Sequence, residues 1–178
     1  MNRKHVTAMA AVAAAGAAIA LVPTLASASA SNATSRPAYR TSSTSLGTTH
    51  FLTLAAAKKA ADAAMGSCLA KGYPVSVSVV DSDGIAIDQE RADTATGATL
   101  QVSLGKAAAA VGFQIPTSAL QDAAKTNPGA IYIPGFNILP GGLPVSLDGS
   151  VVAGIGVSGS PTGDIDASCA AAGVKAIS

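Results

Sequence analysis

Residues 143–159 read LPVSLDGSVVAGIGVSG, and the signals in this stretch decide how the domain is built. Two apolar runs flank Asp148-Gly149, and this dipeptide is among the strongest short-range signals for a β-hairpin. The second run carries Gly154, Gly156 and Gly159 at the G-x-G-x-x-G spacing of dinucleotide-binding folds. The stretch therefore raises the question of whether the chain binds a nucleotide.

The context of these glycines argues against a nucleotide site. A dinucleotide fingerprint needs a helix that opens within the motif, inside a parallel β-α-β unit. Here Gly154 and Gly156 fall inside the second strand of the predicted hairpin, and residues 160–163 delay the next helix. The sequence instead predicts that the glycines mark close packing in the strand, or the close approach of another backbone or a ligand.

Apolar periodicity and turn signals predict the remaining elements of the domain. The run VSVSVV over 75–80 alternates apolar residues with serine, which is typical of a strand with one buried face. The order α-β-β-α-α-β-β-β-α, with two antiparallel hairpins, indicates an α+β fold in which helices pack on a mixed, largely antiparallel sheet. The elements expected are a helix over 54–71 that Thr53 caps, strands over 75–80 and 85–91, helices over 100–113 and 119–125, strands over 131–134, 143–147 and 151–157, and a last helix from near Asp164 or Asp166 to Lys175.

The first part of the chain carries targeting signals. Residues 1–30 combine a short basic start, an uncharged Ala-rich run over 7–22 and A-x-A cleavage sites, as a secretory signal peptide does. The apolar run is shorter than the ~20 residues that a membrane span needs, so no span is expected after cleavage. Residues 31–49 are expected to be a Ser/Thr-rich linker, and residues 50–178 one domain of a secreted, extracellular protein.

Composition limits the partners that the chain is expected to bind and the side chains that can form its core. The formal net charge of +1 gives no reason to expect nucleic-acid binding, and 3% aromatic residues leave a core of small aliphatic side chains. An exported chain enters an oxidising compartment, so Cys68 and Cys169 are expected to form a disulfide, with two buried thiols as the alternative. Two cysteines without a nearby cluster of His or carboxylate ligands do not indicate a zinc site.

Several stretches of the domain resemble the GlcG/HbpS family, also called DUF336 or the haem-degrading domain. They are V-V-D-x-x-G over 79–84 with Arg91 after it, a helix with Lys106-Ala107, G-G-x-P-V over 141–145, and G-x-x-D-x-x-x-A-x-x-G over 163–173. The resemblance covers about residues 52–176. It implies a profilin-like fold, oligomerisation into compact assemblies, and haem binding in some secreted members. Other members sit beside glycolate-utilisation genes or are fused to corrinoid adenosyltransferase domains.

This resemblance directs attention to residues that could hold haem. A haem site needs an axial ligand, an apolar slot and cations for the propionates. The candidate ligands are His50, Met65, Tyr73, Thr117 and Tyr132, the candidate cations are Arg91 and Lys106, and the candidate apolar walls are Phe113, Ile115, Phe136 and Leu139. The alternatives are that His50 is a solvated residue, that the tyrosines and Met65 serve packing, and that Arg91 or Lys106 forms an internal ion pair with Asp81, Asp88 or Asp93.

No catalytic residues are predicted. His50 alone cannot supply a Ser-His-Asp triad, because it lacks an orienting partner. Asp164 and Asp166 suit the start of a helix, and Asp81-x-Asp83-Gly84 suits a turn better than a calcium loop.

Three functions stay open, as does whether the protein is an enzyme. The first is a homo-oligomeric haem-binding protein that sequesters haem, presents it to a surface sensor or transport protein, and slowly degrades it. The second is a binder or enzyme for a corrinoid-related or 2-hydroxy-acid-related metabolite. The third is an interaction module without a cofactor.

Overall fold

The computed structural model describes residues 47–178, so the predicted signal peptide and most of the predicted linker lie outside the described residues. Eight regular elements follow one another along the chain, with a short 3-10 helix at Pro128–Tyr132 between α3 and β3. Their bounds are α1 Leu54–Leu69, β1 Ser76–Asp81, β2 Ala86–Arg91, α2 Gly97–Phe113, α3 Thr117–Ala123, β3 Gly142–Leu147, β4 Ser150–Ser158 and α4 Gly163–Ile177.

The four strands form one sheet in the order β2-β1-β4-β3, and every neighbouring pair is antiparallel. Because side chains alternate along a strand, β4 presents two different faces. Ala153, Ile155 and Val157 join the main core with α1 and α4, whereas Gly154 and Gly156 face α2. The sheet therefore lies between α2 on one side and α1 with α4 on the other, which confirms the predicted α+β class.

The glycines of β4 permit the close contact with α2. A Cβ atom on Gly154 would lie 2.5 Å from the carbonyl oxygen of Ala107, and one on Gly156 would overlap the carbonyl oxygen of Ser103. Real side chains never come that close to a backbone oxygen, so α2 can pack at this depth only against glycine. The expectation of close packing in this strand is confirmed, and no helix opens within the glycine motif.

The prediction that only one face of β1 is buried was wrong, because residues 75–80 are all buried. The serine face lies under α2, where hydroxyl groups pair across the interface. Ser76 Oγ lies 2.8 Å from Thr99 Oγ1, and Ser78 Oγ lies 2.8 Å from Ser103 Oγ. A serine can thus occupy a buried strand face when a helix supplies a hydrogen-bond partner.

Helices α1 and α4 pack against each other through small side chains and one covalent bond. A Cβ atom on Gly173 would lie 2.6 Å from the carbonyl oxygen of Ala60, so the two helix backbones are nearly in contact. Cys68 of α1 and Cys169 of α4 form a disulfide with an S–S distance of 2.08 Å. The predicted pairing is confirmed.

The prediction of a strand over residues 131–134 was also wrong. This segment belongs to the 3-10 helix at Pro128–Tyr132 and to the turn after it. Ile131, Tyr132 and Ile133 are exposed, and no strand of the sheet pairs with them. The apolar run lies between Pro128 and Pro134, and a proline cannot donate a ladder hydrogen bond. Among residues 47–178, no helix is both long and apolar enough to span a membrane.

The contact between α2 and β4 can be tested by adding one methyl group. Gly156→Ala is expected to lower the free energy of unfolding by at least about 2 kcal/mol, because the new Cβ overlaps backbone that cannot move independently. Urea denaturation measures the change. Gly66→Ala is the matched control, since nothing lies within 4 Å of its Cβ position in α1 and alanine favours helix. Equal stability of Gly156→Ala and the wild type would contradict this packing.

The disulfide closes a long loop, with a sequence separation of 101 between its cysteines. Replacing Cys68 and Cys169 with serine is expected to lower the free energy of unfolding by about 4–5 kcal/mol in the chain-entropy model. Urea denaturation should show a similar loss when the wild type is reduced. Reductant should leave the double variant unchanged, and a wild type that reductant does not destabilise would contradict the expected contribution of the disulfide.

Candidate functional site

A concavity with a largely polar lining lies between α2 and the start of α4. It has a volume of about 490 Å³, and the segment from Ser158 to Asp164 forms much of its wall. Val102, Leu139 and Pro140 add apolar surface. Because Lys106 and Asp166 also line it, we call this concavity the Lys106–Asp166 cleft.

A network of short contacts joins the two residues for which the cleft is named. Lys106 Nζ lies 2.8 Å from Asp166 Oδ2 and donates to the carbonyl oxygen of Val157 at 2.9 Å. Asp166 Oδ1 accepts from the backbone N–H of Ser160 at 3.1 Å and lies 2.6 Å from Ser160 Oγ. The Lys106 and Asp166 side chains are only 3% and 5% exposed. Burial lowers the pKa of the Lys106 amine, although the nearby Asp166 opposes that shift.

A second concavity lies on α1 and the end of β2. It has a volume of about 680 Å³ and is lined by Met65 and Leu69 of α1 and by residues 90–94. We call it the Met65–Arg91 hollow, because it brings together a candidate ligand and a candidate cation. One guanidinium N–H of Arg91 donates to the carbonyl oxygen of Ala95 at 2.6 Å.

Two smaller depressions lie beside Phe136, where the loop after the 3-10 helix crosses α2. Their volumes are about 330 Å³ and 260 Å³, and both are lined by Leu104 and Phe136. The Phe136 ring covers Gly112 of α2 and meets Phe113 edge-on at 5.8 Å between ring centroids. Phe136 thus fills the space beside a small-residue stripe of the helix.

The predicted haem-site residues are spread over several places. Met65 and Arg91 share the hollow, Phe113 and Phe136 contact each other, and Lys106 lies at the cleft. Thr117 is buried, and its hydroxyl accepts from the backbone N–H of Gly142 at 2.9 Å. Leu139 lines the cleft together with Lys106, His50 and Tyr132 are exposed, and Tyr73 and Ile115 lie on other segments. No cavity described above is lined by all of these residues.

The alternative ion pairs of Arg91 or Lys106 with Asp81, Asp88 or Asp93 do not form within the described part of the chain. Lys106 contacts Asp166 instead, and Asp88 lies near Lys58. Asp81 serves the turn that its motif predicted, because its Oδ1 accepts from the backbone N–H groups of Asp83 and Ile85.

Comparison with known proteins places the chain in a family. The model for haem-degrading proteins of the HbpS-like type matches residues 52–175. The chain belongs to the HbpS-like family. A double mutant of Streptomyces reticuli HbpS has 38% identity and a TM-score of 0.77, with 80% of this chain and 97% of that one covered.

Two further proteins are similar to this chain, one in sequence and one in fold. An uncharacterised 15.0 kDa protein of Citrobacter freundii, from the dhaT-dhaS intergenic region, is 37% identical over 113 residues, which are 61% of this chain and 80% of that protein. The structure of a PduOC–haem complex has 23% identity and a TM-score of 0.66, with 72% of this chain and 96% of that one covered. The second likeness is one of fold.

The HbpS-like motifs converge on Lys106 in this structure. A Cβ atom on Gly141 would lie 2.9 Å from Lys106 Nζ, and one on Gly142 would overlap the Lys106 carbonyl oxygen. Gly141 also has a φ of +127°, which a side chain would strain. The G-G-x-P motif thus lets β3 approach α2, and the D-x-x-x-A motif supplies Asp166.

Sequence reasoning did not identify Asp166 and Ser160 as members of this network. Asp166 was explained by its place in the first turn of α4, and 60 residues separate it from Lys106. The available signal was that a lysine and an aspartate both fall within motifs of one family. Spacing along the chain carries no information on such a distant pair.

The role of Thr117 can be tested with a substitution of nearly equal size. Thr117→Val removes the hydroxyl that accepts from Gly142, so a buried N–H loses its partner. The free energy of unfolding is expected to fall by about 1–3 kcal/mol. Thr126→Val is the control, because Thr126 is exposed in the turn that follows α3. A similar small effect of both substitutions on urea denaturation would contradict the structural role.

Proposed function

We propose that this chain is a secreted haem-binding protein that holds haem in the Met65–Arg91 hollow. Membership of the HbpS-like family across residues 52–175 carries the proposal, since the matching family is described as haem-degrading. The PduOC structure holds haem, which supports the view that this fold accommodates the group. The disulfide supports export, because such bonds persist in oxidising compartments.

The donor set of the hollow fits haem better than that of the Lys106–Asp166 cleft. The thioether of Met65 is a known type of axial ligand, and the fork of Arg91 matches a propionate carboxylate. Leu69 adds exposed apolar surface, as the face of a macrocycle requires. A volume of about 680 Å³ falls in the usual range for small-molecule sites. In the cleft, by contrast, the Lys106 amine already donates to Asp166, so it is not free to bind a propionate.

Neighbouring contacts prepare Arg91 for this role. The carbonyl oxygen of Ala95 fixes one end of the guanidinium group, which leaves its other N–H groups available for a carboxylate. Glu90 also lines the hollow, and Lys58 donates to its Oε1 at 3.1 Å. This contact holds the Glu90 carboxylate, and burial raises the pKa of Glu90.

The proposal extends to activity and assembly. Iron-centred oxidation is the chemistry that bound haem would supply, and the protein would contribute the position of the haem to slow degradation. We also propose that the chain forms a homo-oligomer and that this oligomer passes haem to a surface sensor or transport protein.

Titration of the purified chain with hemin tests this function. Saturable binding with a shifted Soret band is expected at micromolar hemin. Met65→Leu should change the Soret band because the sulfur ligand is lost, and Arg91→Gln should weaken binding about tenfold, on the order of one charge-assisted hydrogen bond. The absence of saturation in the wild type would refute haem binding.

Two control variants test whether haem binds in the Met65–Arg91 hollow or elsewhere on the domain. Tyr132→Phe and His50→Gln remove other candidate ligands, and both residues are exposed, so the fold should not change. Binding by these variants should match the wild type. Loss of binding in either of them, with Met65→Leu unaffected, would keep the function but move the haem away from the hollow.

A further inference from the structure

The row of β4 residues that faces α2 ends in a serine whose hydroxyl group has no protein partner. Ser158 follows Gly154 and Gly156 at a spacing of two, so it lies on the same face of the sheet. It is only 7% exposed, and it lines the Lys106–Asp166 cleft. Its hydroxyl group forms no hydrogen bond within the described part of the chain, nor is it among the side-chain atoms there that are both enclosed and unpaired. The hydroxyl group of Ser158 therefore faces the open space of the cleft.

The ammonium group of Lys106 has one hydrogen to spare at the same cleft. Lys106 and Asp166 form a buried salt bridge, and a lysine ammonium group carries three hydrogens. Two of these hydrogens go to Asp166 Oδ2 and to the carbonyl oxygen of Val157. The described residues offer no acceptor for the third hydrogen, although the side chain is only 3% exposed. Because buried donors are normally satisfied, an oxygen atom in the cleft is expected to accept it.

Two more polar side chains of the cleft are available to a ligand. Gln121 of α3 and Asp164 of the first turn of α4 both line the cleft. Neither side chain forms a hydrogen bond or an ion pair with the described residues. An amide group both donates and accepts, whereas an ionised carboxylate only accepts. The cleft thus offers unpaired hydrogen-bond donors and acceptors within one volume of about 490 Å³.

The charges of the cleft exclude most charged ligands. Its lining carries one positive charge on Lys106 and two negative charges on Asp164 and Asp166, which give a net charge of −1. An anionic ligand would be repelled by Asp164, whose charge no cation in the described part of the chain compensates. A ligand that binds through an ammonium group offers only donors there, so that group cannot accept from Lys106. An uncharged ligand with several hydroxyl groups matches both requirements, because each hydroxyl donates and accepts.

The remaining lining of the cleft is aliphatic. Leu139, Pro140 and Pro161 present C–H groups, and no aromatic side chain lines this concavity. Aliphatic surface of this kind packs against the C–H groups of a small ring. The volume of the cleft lies within the usual range for small-molecule sites. Polar groups that bind hydroxyls and an apolar wall that packs against C–H groups are what a sugar ring requires.

We propose that the Lys106–Asp166 cleft is a second ligand site, which binds an uncharged monosaccharide. Hydroxyl oxygens of the sugar accept from Lys106 and Ser158, and its hydroxyl hydrogens are donated to Asp164 and Gln121. No covalent bond forms or breaks. The cleft shares no lining residue with the Met65–Arg91 hollow, so this site does not depend on haem binding.

An NMR titration of the full ¹⁵N-labelled chain tests the binding. Glucose, galactose and mannose are the probes, and at least one of them should bind saturably with a dissociation constant on the order of 1 mM. The amide signals of Gly159 and Gly163 in the cleft should shift with the sugar, whereas those of Ala92 and Thr94 at the hollow should not. Glucuronate has the same ring with an added carboxylate and should bind at least about fivefold more weakly than glucose.

Three variants test the roles of the side chains. Ser158→Ala should weaken binding of the sugar about fivefold, because one hydrogen bond is lost. Its stability in urea should match the wild type, since the hydroxyl has no protein partner. Ser82→Ala is the matched control, because Ser82 is exposed in the turn after β1, and it should bind as the wild type does. Asp164→Asn should bind glucuronate more tightly than the wild type, because the repelling charge is removed.

Three results would overturn the proposal. The first is the absence of saturable binding for all three sugars, and the second is saturable binding whose shifts lie outside the cleft. The third is tighter binding of glucuronate than of glucose by the wild type, which would show an anion site. A failed hemin titration would leave all of these measurements valid, because they are made without haem.

Discussion

Helix α2 lies directly on strand β4, because two glycines leave no side chains between the helix and the strand. Gly154 and Gly156 stand opposite the backbone of α2, where a Cβ would meet the carbonyl oxygens of Ala107 and Ser103. Ser76 and Ser78 of the neighbouring strand continue the same surface with small, hydrogen-bonding groups. The chain has few aromatic residues that could fill its core. The close approach of the α2 and β4 backbones supplies dispersion contacts that large side chains would otherwise provide.

The close approach of α2 to the sheet also determines which groups the Lys106 side chain can contact. Its carbonyl oxygen lies against Gly142, and its side chain extends to the end of β4 and the first turn of α4. One lysine thereby links three elements that are distant in sequence. A helix held farther from the sheet by larger residues would carry Nζ away from Val157 and Asp166. The polar network of the cleft therefore depends on the glycines of β4 as much as on the lysine.

Local signals in the sequence predicted much of the fold. Thr53 caps α1 through the N–H of Ala56, the Asp148-Gly149 turn joins β3 to β4, and the cysteines pair. These features depend on short spacing, on turn chemistry or on the number of cysteines. The segment over 131–134 misled the prediction, because its β-branched residues resemble a strand while tertiary structure offers no partner.

The candidate site was less predictable, for a physical reason. Haem-binding residues were selected by chemical type, and residue type does not say which side chains share a cavity. Met65 and Arg91 line one hollow because α1 passes near the end of β2, and Lys106 contacts Asp166 across 60 residues. The packing of helices and strands determines such contacts, and no local spacing pattern in a single sequence indicates which distant residues come together.

The two concavities respond differently to change because different parts of the fold support them. The Met65–Arg91 hollow is formed by one turn of α1, the end of β2 and the three residues after it, and Leu69 and Arg91 are exposed there. Substitutions in it can alter a ligand site at little cost to folding. The Lys106–Asp166 cleft has a floor of buried polar groups whose partners lie on α2, β4 and α4, so this network is tied to stability. The exposed residues of the hollow can therefore change with few constraints, whereas the cleft can change only together with the packing of α2.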